Sequence, residues 1–316
     1  MKLSICTDVM ADLSFTEMLD KCVALGVEGI EMTGGGWSKG PHFRADELLA
    51  DKGLLKSKLN EIKARGLEIA ALNCSANPLD PGEMGKRHRK EMEETIRLAG
   101  EIGVKKIVTM SGLPEAAPGD MVPNWLVYTK SWPNEMPERD RYQWEDRAFP
   151  LWHDLVRLAD EVGVEKYALE NFSAMLVWNP ETLFRLRNAV GPMVGMNLDP
   201  SHLFWKGACP IAVARALGDA IHHVHGKDTR IERGLADING YLELKDVTDV
   251  KNRSWNYVAV GAGQGGHRPC LPADQPVSEA FRAGECPACG AGARGRGPAE
   301  QPAARLRLLR RAGDPH

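Results

Sequence analysis

The sequence predicts an α/β fold, a (β/α)8 barrel whose eighth βα unit is incomplete or distorted, on three observations. Amphipathic helices and short apolar strands alternate as far as residue 225. A recurring phrase of an apolar residue, Gly and another apolar residue closes one helix after another. The strands read as continuous apolar runs without clean alternation, as parallel strands buried on both faces do. Seven countable repeats favour a closed eight-fold barrel over an open doubly wound sheet, and no Gly-x-Gly-x-x-Gly follows the first strand, which argues against a dinucleotide fold.

Leu3 to Thr7 reads as the first strand. The closing phrase then recurs as Leu25-Gly26-Val27, Arg65-Gly66-Leu67 (with Arg in the first apolar place), Ile102-Gly103-Val104, Val162-Gly163-Val164 and Val190-Gly191-Pro192. Glycine just past a helix end takes the left-handed conformation that stops the helix. The residues that follow read as strands: Gly29 to Met32, Glu68 to Leu72, Lys106 to Met110, Lys166 to Leu169 and Val194 to Asn197, with Ile221 to His225 as the seventh. Between them the 3.6-residue pattern shows in Leu55, Leu59 and Ile62, and in Met92, Ile96 and Ala99.

Ser111 to Glu145 breaks this rhythm. It is Pro-rich and carries Trp125, Tyr128, Trp132, Tyr142 and Trp144, and loops of that length are usually lids or binding loops. It reads as a lid over the pocket; the alternative is an excursion that packs its aromatics on the barrel rim. From Gly265 the composition changes: Ala, Gly, Pro and Arg make 33 of the last 52 residues, and Lys, Ile, Met, Asn, Thr, Tyr and Trp are absent. That is not a strand-and-helix composition. It is that of a disordered segment, and GC-rich DNA read out of frame gives the same result. The domain division is therefore 1–264 as barrel and 265–316 as an atypical tail.

With 316 residues, 43% apolar content and a formal charge of −3, the chain can bury a large core and has no long-range field for a polyanion. No apolar run reaches about 18 residues, so the chain is expected to be soluble and cytoplasmic, with no membrane partner. Cys6, Cys22, Cys74 and Cys209 sit singly inside elements, as buried free thiols do in a reducing compartment.

Four residues near the ends of successive strands carry the chemistry: Glu170, Asp199, His202 and His225. Glu170 and Asp199 lie 29 residues apart, and Asp199 and His225 lie 26 apart. Each interval is about one strand-plus-helix unit, so the fold can converge them on one point. Two carboxylates and an imidazole suit a hard or borderline divalent ion with positions left open for substrate. Such an ion polarises a carbonyl and acidifies the neighbouring C–H. Each residue alone reads equally well as a hydrogen-bonded structural group. Their joint occurrence decides, because ionisable groups are costly in a barrel interior unless paired or metal-bound. His223 and His225 point the same way along their strand, and His225, nearer the carboxyl end, is the chosen ligand.

These residues and several motifs resemble the sugar phosphate isomerase/epimerase family with the xylose isomerase-like TIM barrel, related to endonuclease IV and AP endonuclease family 2. The motifs are Leu72-Asn73-Cys74-Ser75, Met110-Ser111-Gly112, Asn179-Pro180-Glu181-Thr182-Leu183, Asp199-Pro200-Ser201-His202-Leu203-Phe204-Trp205, His223-Val224-His225-Gly226-Lys227-Asp228-Thr229 and Arg253-Ser254-Trp255. The resemblance implies that Glu170, Asp199 and His225 are metal ligands, with manganese the frequent ion and magnesium, cobalt or zinc as others. It places His202 by the substrate and Asn73, Lys227 and Arg230 along the sugar pocket. It implies a divalent-metal-dependent isomerase or epimerase of a sugar or sugar-like polyol working through an enediolate, with Glu170 and His202 as catalytic groups; a homo-oligomer is one open assembly, and the sequence does not give the oligomeric state. A lyase or dehydratase acting on a keto-sugar or keto-inositol shares that chemistry.

A nuclease is disfavoured, because residues 1–264 hold 32 Lys and Arg against 38 Asp and Glu, a net of −6. A non-catalytic binding protein is the remaining rival. Two departures from the family stand out. Asn171-Phe172-Ser173 replaces a frequent His-Pro-Gly. The family's fourth ligand, a Glu on the eighth strand, has no counterpart after Val260-Gly261-Ala262-Gly263-Gln264, and Glu279, Glu285 and Glu300 do not substitute for it. The expectation is an impaired enzyme with a weakened metal site.

Overall fold

Seven parallel strands in sequential order carry the structure, a computed structural model that describes residues 2–127 and 133–263. They are β1 (Ser4–Cys6), β2 (Gly29–Thr33), β3 (Glu68–Cys74), β4 (Lys106–Thr109), β5 (Lys166–Glu170), β6 (Val194–Leu198) and β7 (Ile221–Val224). Each lies within about two residues of its sequence-based expectation, because apolar runs and glycine stops mark them twice over. Among the described residues ten helices accompany them: α1 (Phe15–Ala24), α2 (Ala45–Ala50), α3 (Lys52–Ala64), α4 (Glu83–Ile102), α5 (Met136–Arg141), α6 (Phe149–Val162), α7 (Pro180–Val190), α8 (Pro200–Phe204), α9 (Pro210–Leu217) and α10 (Arg233–Asn239).

The glycine stops behave as expected at four of five positions. Gly26, Gly66, Gly103 and Gly163 take φ of 69°, 69°, 75° and 79°. Gly191 departs, with φ 103° and ψ 174°. The residue after it is Pro192, whose ring pushes its predecessor into extended backbone.

The sheet has two faces of different character. Outward, Ile30, Met32, Leu72, Ile107, Leu169 and Met196 pack with Met18, Leu19, Met92, Ile96, Leu155 and Leu183 of the helices in one continuous core. Fully burying one such side chain contributes about 1.5–3 kcal/mol. Inward, the apolar residues are small, a separate cluster of Ala71, Val108 and Ala168. Their size leaves room for the polar side chains that the strands also direct inward.

The barrel is incomplete, as the sequence predicts. Among the described residues β1 and β7 pair neither with each other nor with a further parallel strand. A cleft of about 1190 Å³, lined by Leu3, Ser4, Ile69, Lys106, Ile221 and Val260 among others, opens at this side. It is lined by the amino-terminal ends of β1 to β4 and runs along β7 to Gly226; Glu170 and Asp199 are not among its lining residues. The tail 265–316, and with it the question of a fourth carboxylate, lies outside the described residues.

Two elements differ from expectation. The stretch read as a loop to Glu145 turns helical at Met136, and a π-helical turn (Tyr142–Ala148) leads straight into α6. Trp144 is buried under the Arg185 guanidinium at 4.5 Å, and Trp125 meets Trp178 edge-on at 6.0 Å. These aromatics therefore serve rim packing, while Tyr128 and Trp132 lie outside the described residues. After β7 the chain makes no immediate helix. It forms an antiparallel pair, β8 (Asp228–Ile231) with β9 (Trp255–Val258), capped by stacked Trp205 and Trp255 rings 4.7 Å apart. Among the described residues no helix is long and apolar enough to cross a membrane.

Candidate metal centre

Two strand ends deliver the acidic groups. Glu170 is the last residue of β5, and Asp199 follows β6 as the N-cap of α8. Asp199 Oδ1 accepts from the Ser201 backbone N–H at 2.8 Å, the ordinary task of a helix cap. The capping bond fixes the carboxylate and turns its other oxygen toward Glu170. The side chain of Asn171 grips the Asp199 backbone on both sides, accepting from its N–H at 2.8 Å and donating to its carbonyl at 3.0 Å. Asn171 thus clamps the loop that carries Asp199.

His225, just past β7, faces Glu170: Nδ1 lies 3.3 Å from Glu170 Oε2. The amide of Asn197 lies 3.0 Å from the same Nδ1. His202, on α8, is fully buried; its Nε2 donates to Glu170 Oε1 at 2.8 Å and its Nδ1 accepts from the Tyr257 hydroxyl at 3.1 Å. Phe172 packs edge-on against that ring at 4.6 Å. Lys227 reaches in from the β7–β8 connection, with Nζ 2.9 Å from Asp199 Oδ2 and 3.2 Å from His202 Nε2. Glu170, Asp199 and His225 thus converge, with one ligand atom from each within 4.8 Å of the others.

These charges shift one another. Burial opposes ionisation of Glu170, but hydrogen bonds from His202 and His225 outweigh it and hold the carboxyl well below the usual range. Burial likewise works against a charged His225, yet the bonds to Glu170 and Glu31 win and push its pKa up to about 10. Tyr257 is pushed up by burial and by the Asp199 and Glu170 charges. Lys206 is brought down to about 7 by burial, which those two carboxylates only partly offset.

The donor set fits a divalent cation on one specific ground. Asp199 Oδ2 is wholly buried and in no aligned hydrogen bond, although Lys227 stands 2.9 Å away. A wholly buried carboxylate needs positive charge beside it; here Lys227 at 2.9 Å and His202 Nε2 at 3.3 Å stand against Oδ2, and a divalent cation between Asp199, Glu170 and His225 would supply that charge in their place.

The other residues singled out from sequence divide. Asn73 reaches the centre only through Glu31: its amide donates to Glu31 Oε1 at 2.7 Å, and Glu31 Oε2 meets His225. Arg230, on β8, is engaged with Glu232 at 2.7 Å and makes no contact with the three ligands. Glu31 went unremarked in the sequence, although it is buried in the middle of β2 and accepts from His223 Nε2 at 2.9 Å and His225 Nε2 at 3.2 Å. The signal was present: a carboxylate inside the apolar run Gly-Ile-Glu-Met-Thr is out of place unless something pairs with it.

A parallel α/β sheet of barrel type, with two carboxylates and an imidazole converging at the strands' carboxyl ends, places a group that could hold a divalent ion where barrels of this kind carry their active sites. Residues 19–264 match the family described as "Xylose isomerase-like TIM barrel", and the chain belongs to it. A Bacillus subtilis (strain 168) protein, "Uncharacterized protein YfiH", is 59% identical over 264 residues, 84% of each chain. The crystal structure of the probable 3-DHS dehydratase AsbF from Bacillus anthracis is similar with a TM-score of 0.55 at 20% identity, covering 84% of this chain and 85% of that one. The IOLI protein with a binding zinc atom is similar with a TM-score of 0.52 at 20% identity, covering 73% of this chain and 74% of that one.

Proposed function

We propose that this chain is a divalent-metal-dependent isomerase or epimerase of a small sugar or sugar-like polyol. The observation that carries the reading is the buried, unaligned Asp199 Oδ2 facing Glu170 and His225. Glu170, Asp199 and His225 would hold the ion. When bound, it supplies a Lewis acid that polarises a substrate carbonyl and acidifies the neighbouring C–H. Glu170, kept ionised by its imidazole neighbours, takes up the carbon-bound proton and returns it. His202 orients substrate oxygens, its ring fixed by Tyr257 and Phe172.

A lyase reading has its own support in Lys227. Its ammonium stands at the centre of the site and could protonate a departing hydroxyl. Arg230 would join the pocket only by leaving Glu232. The barrel unit 1–264, a cytoplasmic location, self-association and the lack of a nucleic-acid partner belong to the same proposal, consistent with a net charge of −6 over residues 1–264, from 32 basic and 38 acidic residues.

Elemental analysis of the purified chain beside Glu170→Ala, followed by incubation with a panel of ketoses and keto-inositols in D2O, tests the reading. Metal lost with Glu170→Ala and deuterium in a recovered isomer are expected. An accumulating unsaturated product transfers the assignment to a lyase, and equal metal in both proteins ends the metal reading.

A further inference from the structure

The interior holds a second group of ionisable side chains that the proposed chemistry does not use. Glu31 of β2 is 2% exposed, yet each of its oxygens is satisfied: Oε1 by the Asn73 amide, and Oε2 by Nε2 of both His223 and His225. Lys106 Nζ lies 3.3 Å from His223 Nδ1, so that nitrogen is the acceptor and His223 Nε2 carries the proton given to Glu31. An ionised carboxylate accepts only, so His225 Nε2 must also be protonated. The remaining nitrogen of His225, Nδ1, is the one turned to Glu170.

A separate observation points to the same place. Among the described residues the parallel sheet has two register shifts, at Ile30/Glu31 and at Met196/Asn197. Asn197 pairs in register with His223 and lies against His225 Nδ1. Such irregularities re-aim side chains and cluster beside functional sites. Here both fall at residues surrounding His225.

Resting on the metal reading above, we propose that Glu31 is the positioning residue of the metal centre: it holds the Nε2 proton of His225 and thereby presents Nδ1 as the ligand atom. The arrangement is a carboxylate–imidazole–metal triad, in which the outer carboxylate selects the tautomer and raises the basicity of the ligand. Asn73 and His223 keep Glu31 in place, which gives the buried Asn73 amide and the half-buried His223 ring a role without assigning them to substrate.

The first test needs no variant. In the Zn2+-loaded full chain with 15N-labelled histidine, long-range 1H–15N correlation should show His225 protonated at Nε2 and unprotonated at Nδ1, with assignment by difference from His225→Gln. An unprotonated Nε2 overturns the proposal. The second compares Zn2+ affinities by chelator competition, extrapolated to the pH-independent limit. Glu31→Gln should weaken binding about 10–100-fold and Glu31→Asp should recover part of the loss, while an affinity within about threefold of wild type counts against the proposal. Two ions per chain, one of them lost in His223→Ala, would make Glu31, His223 and His225 a cation site and overturn it as well. The two readings separate cleanly: if Glu170→Ala leaves Zn2+ binding intact the metal reading fails, and if Glu170→Ala abolishes binding while Glu31→Gln does not change it, only the Glu31 proposal fails.

Discussion

Loading the centre with Mn2+ should expel one proton. His225 sits between Glu31 and Glu170 with its pKa pushed up to about 10, so at neutral pH the ring is an imidazolium and occupies the cation's place by charge. A metal can bind Nδ1 only after that nitrogen loses its proton, whereas Glu170 is already ionised and releases none. Three pH units separate about 7 from about 10, and at about 1.36 kcal/mol per unit the proton competes with about 4 kcal/mol, roughly a thousandfold in affinity. Isothermal titration calorimetry in buffers of differing ionisation enthalpy reads the proton count directly. One proton per Mn2+ is expected, with a dissociation constant that falls about tenfold per unit, hence about 100-fold between about pH 6 and about pH 8. A flat dissociation constant with no proton released would refute the reasoning, since either His225 is not a ligand or its charge is not held by the two carboxylates.

Three further outcomes are expected. The metal-free chain should lose stability at both ends of the pH range. Glu31 and Glu170, with lowered folded pKa values, contribute stability that is present above the unfolded value of about 4.3 and lost as pH falls below it; His225, with a raised one, contributes stability complete below about 6.5 and lost as pH rises through about 10. Melting temperature against pH should show both flanks, and a curve flat down to about pH 3 contradicts the carboxylate pairing. Ala174, in the loop after β5, holds a left-handed φ of 58°, and Ala174→Gly should raise the unfolding free energy by up to about 1 kcal/mol in urea titration; a loss would mean that the loop is unstrained. Trp152 is fully buried and donates through Nε1 to the Ser111 carbonyl at 3.0 Å, so Trp152→Phe should cost about 1–3 kcal/mol, and an unchanged midpoint would show that the carbonyl finds another donor.

The outer half of this fold was legible because it is written in local chemistry. Apolar runs, helix periodicity and glycine stops are properties of neighbouring residues, and β1 to β7 follow from them. Asn179 is a case in point: its side chain accepts from the Thr182 N–H at 2.9 Å, a capping motif visible in four letters. The helix at Met136 was not legible. It starts on a run of charged residues whose apolar face shows only at Trp144, against Arg185 of α7, some forty residues further along the chain. The β8–β9 pair was missed for a similar reason, since its two strands are joined by a long connection and pair only through tertiary contact.

The centre divides along the same line. Glu170, Asp199 and His225 were found because each stands at a strand end at regular spacing, so the topology alone brings them together. Asn73 and Arg230 were placed by resemblance, and in the structure the polar groups of both are engaged by neighbouring carboxylates. Asn73 Nδ2 is spent on Glu31, and Arg230 on its own hairpin. Glu31 was invisible for the opposite reason: two of its three partners, His223 and His225, stand more than 190 positions away on and just past β7, and only the curl of the sheet puts β2 across the interior from them. Yet its cost was readable. Burying a carboxylate in a central strand is strongly unfavourable unless donors meet it. Three donors do, and two of them, His223 and the proposed ligand His225, come from β7 and the residue just past it. The pairing that makes Glu31 tolerable in the core therefore also fixes the ring of that ligand.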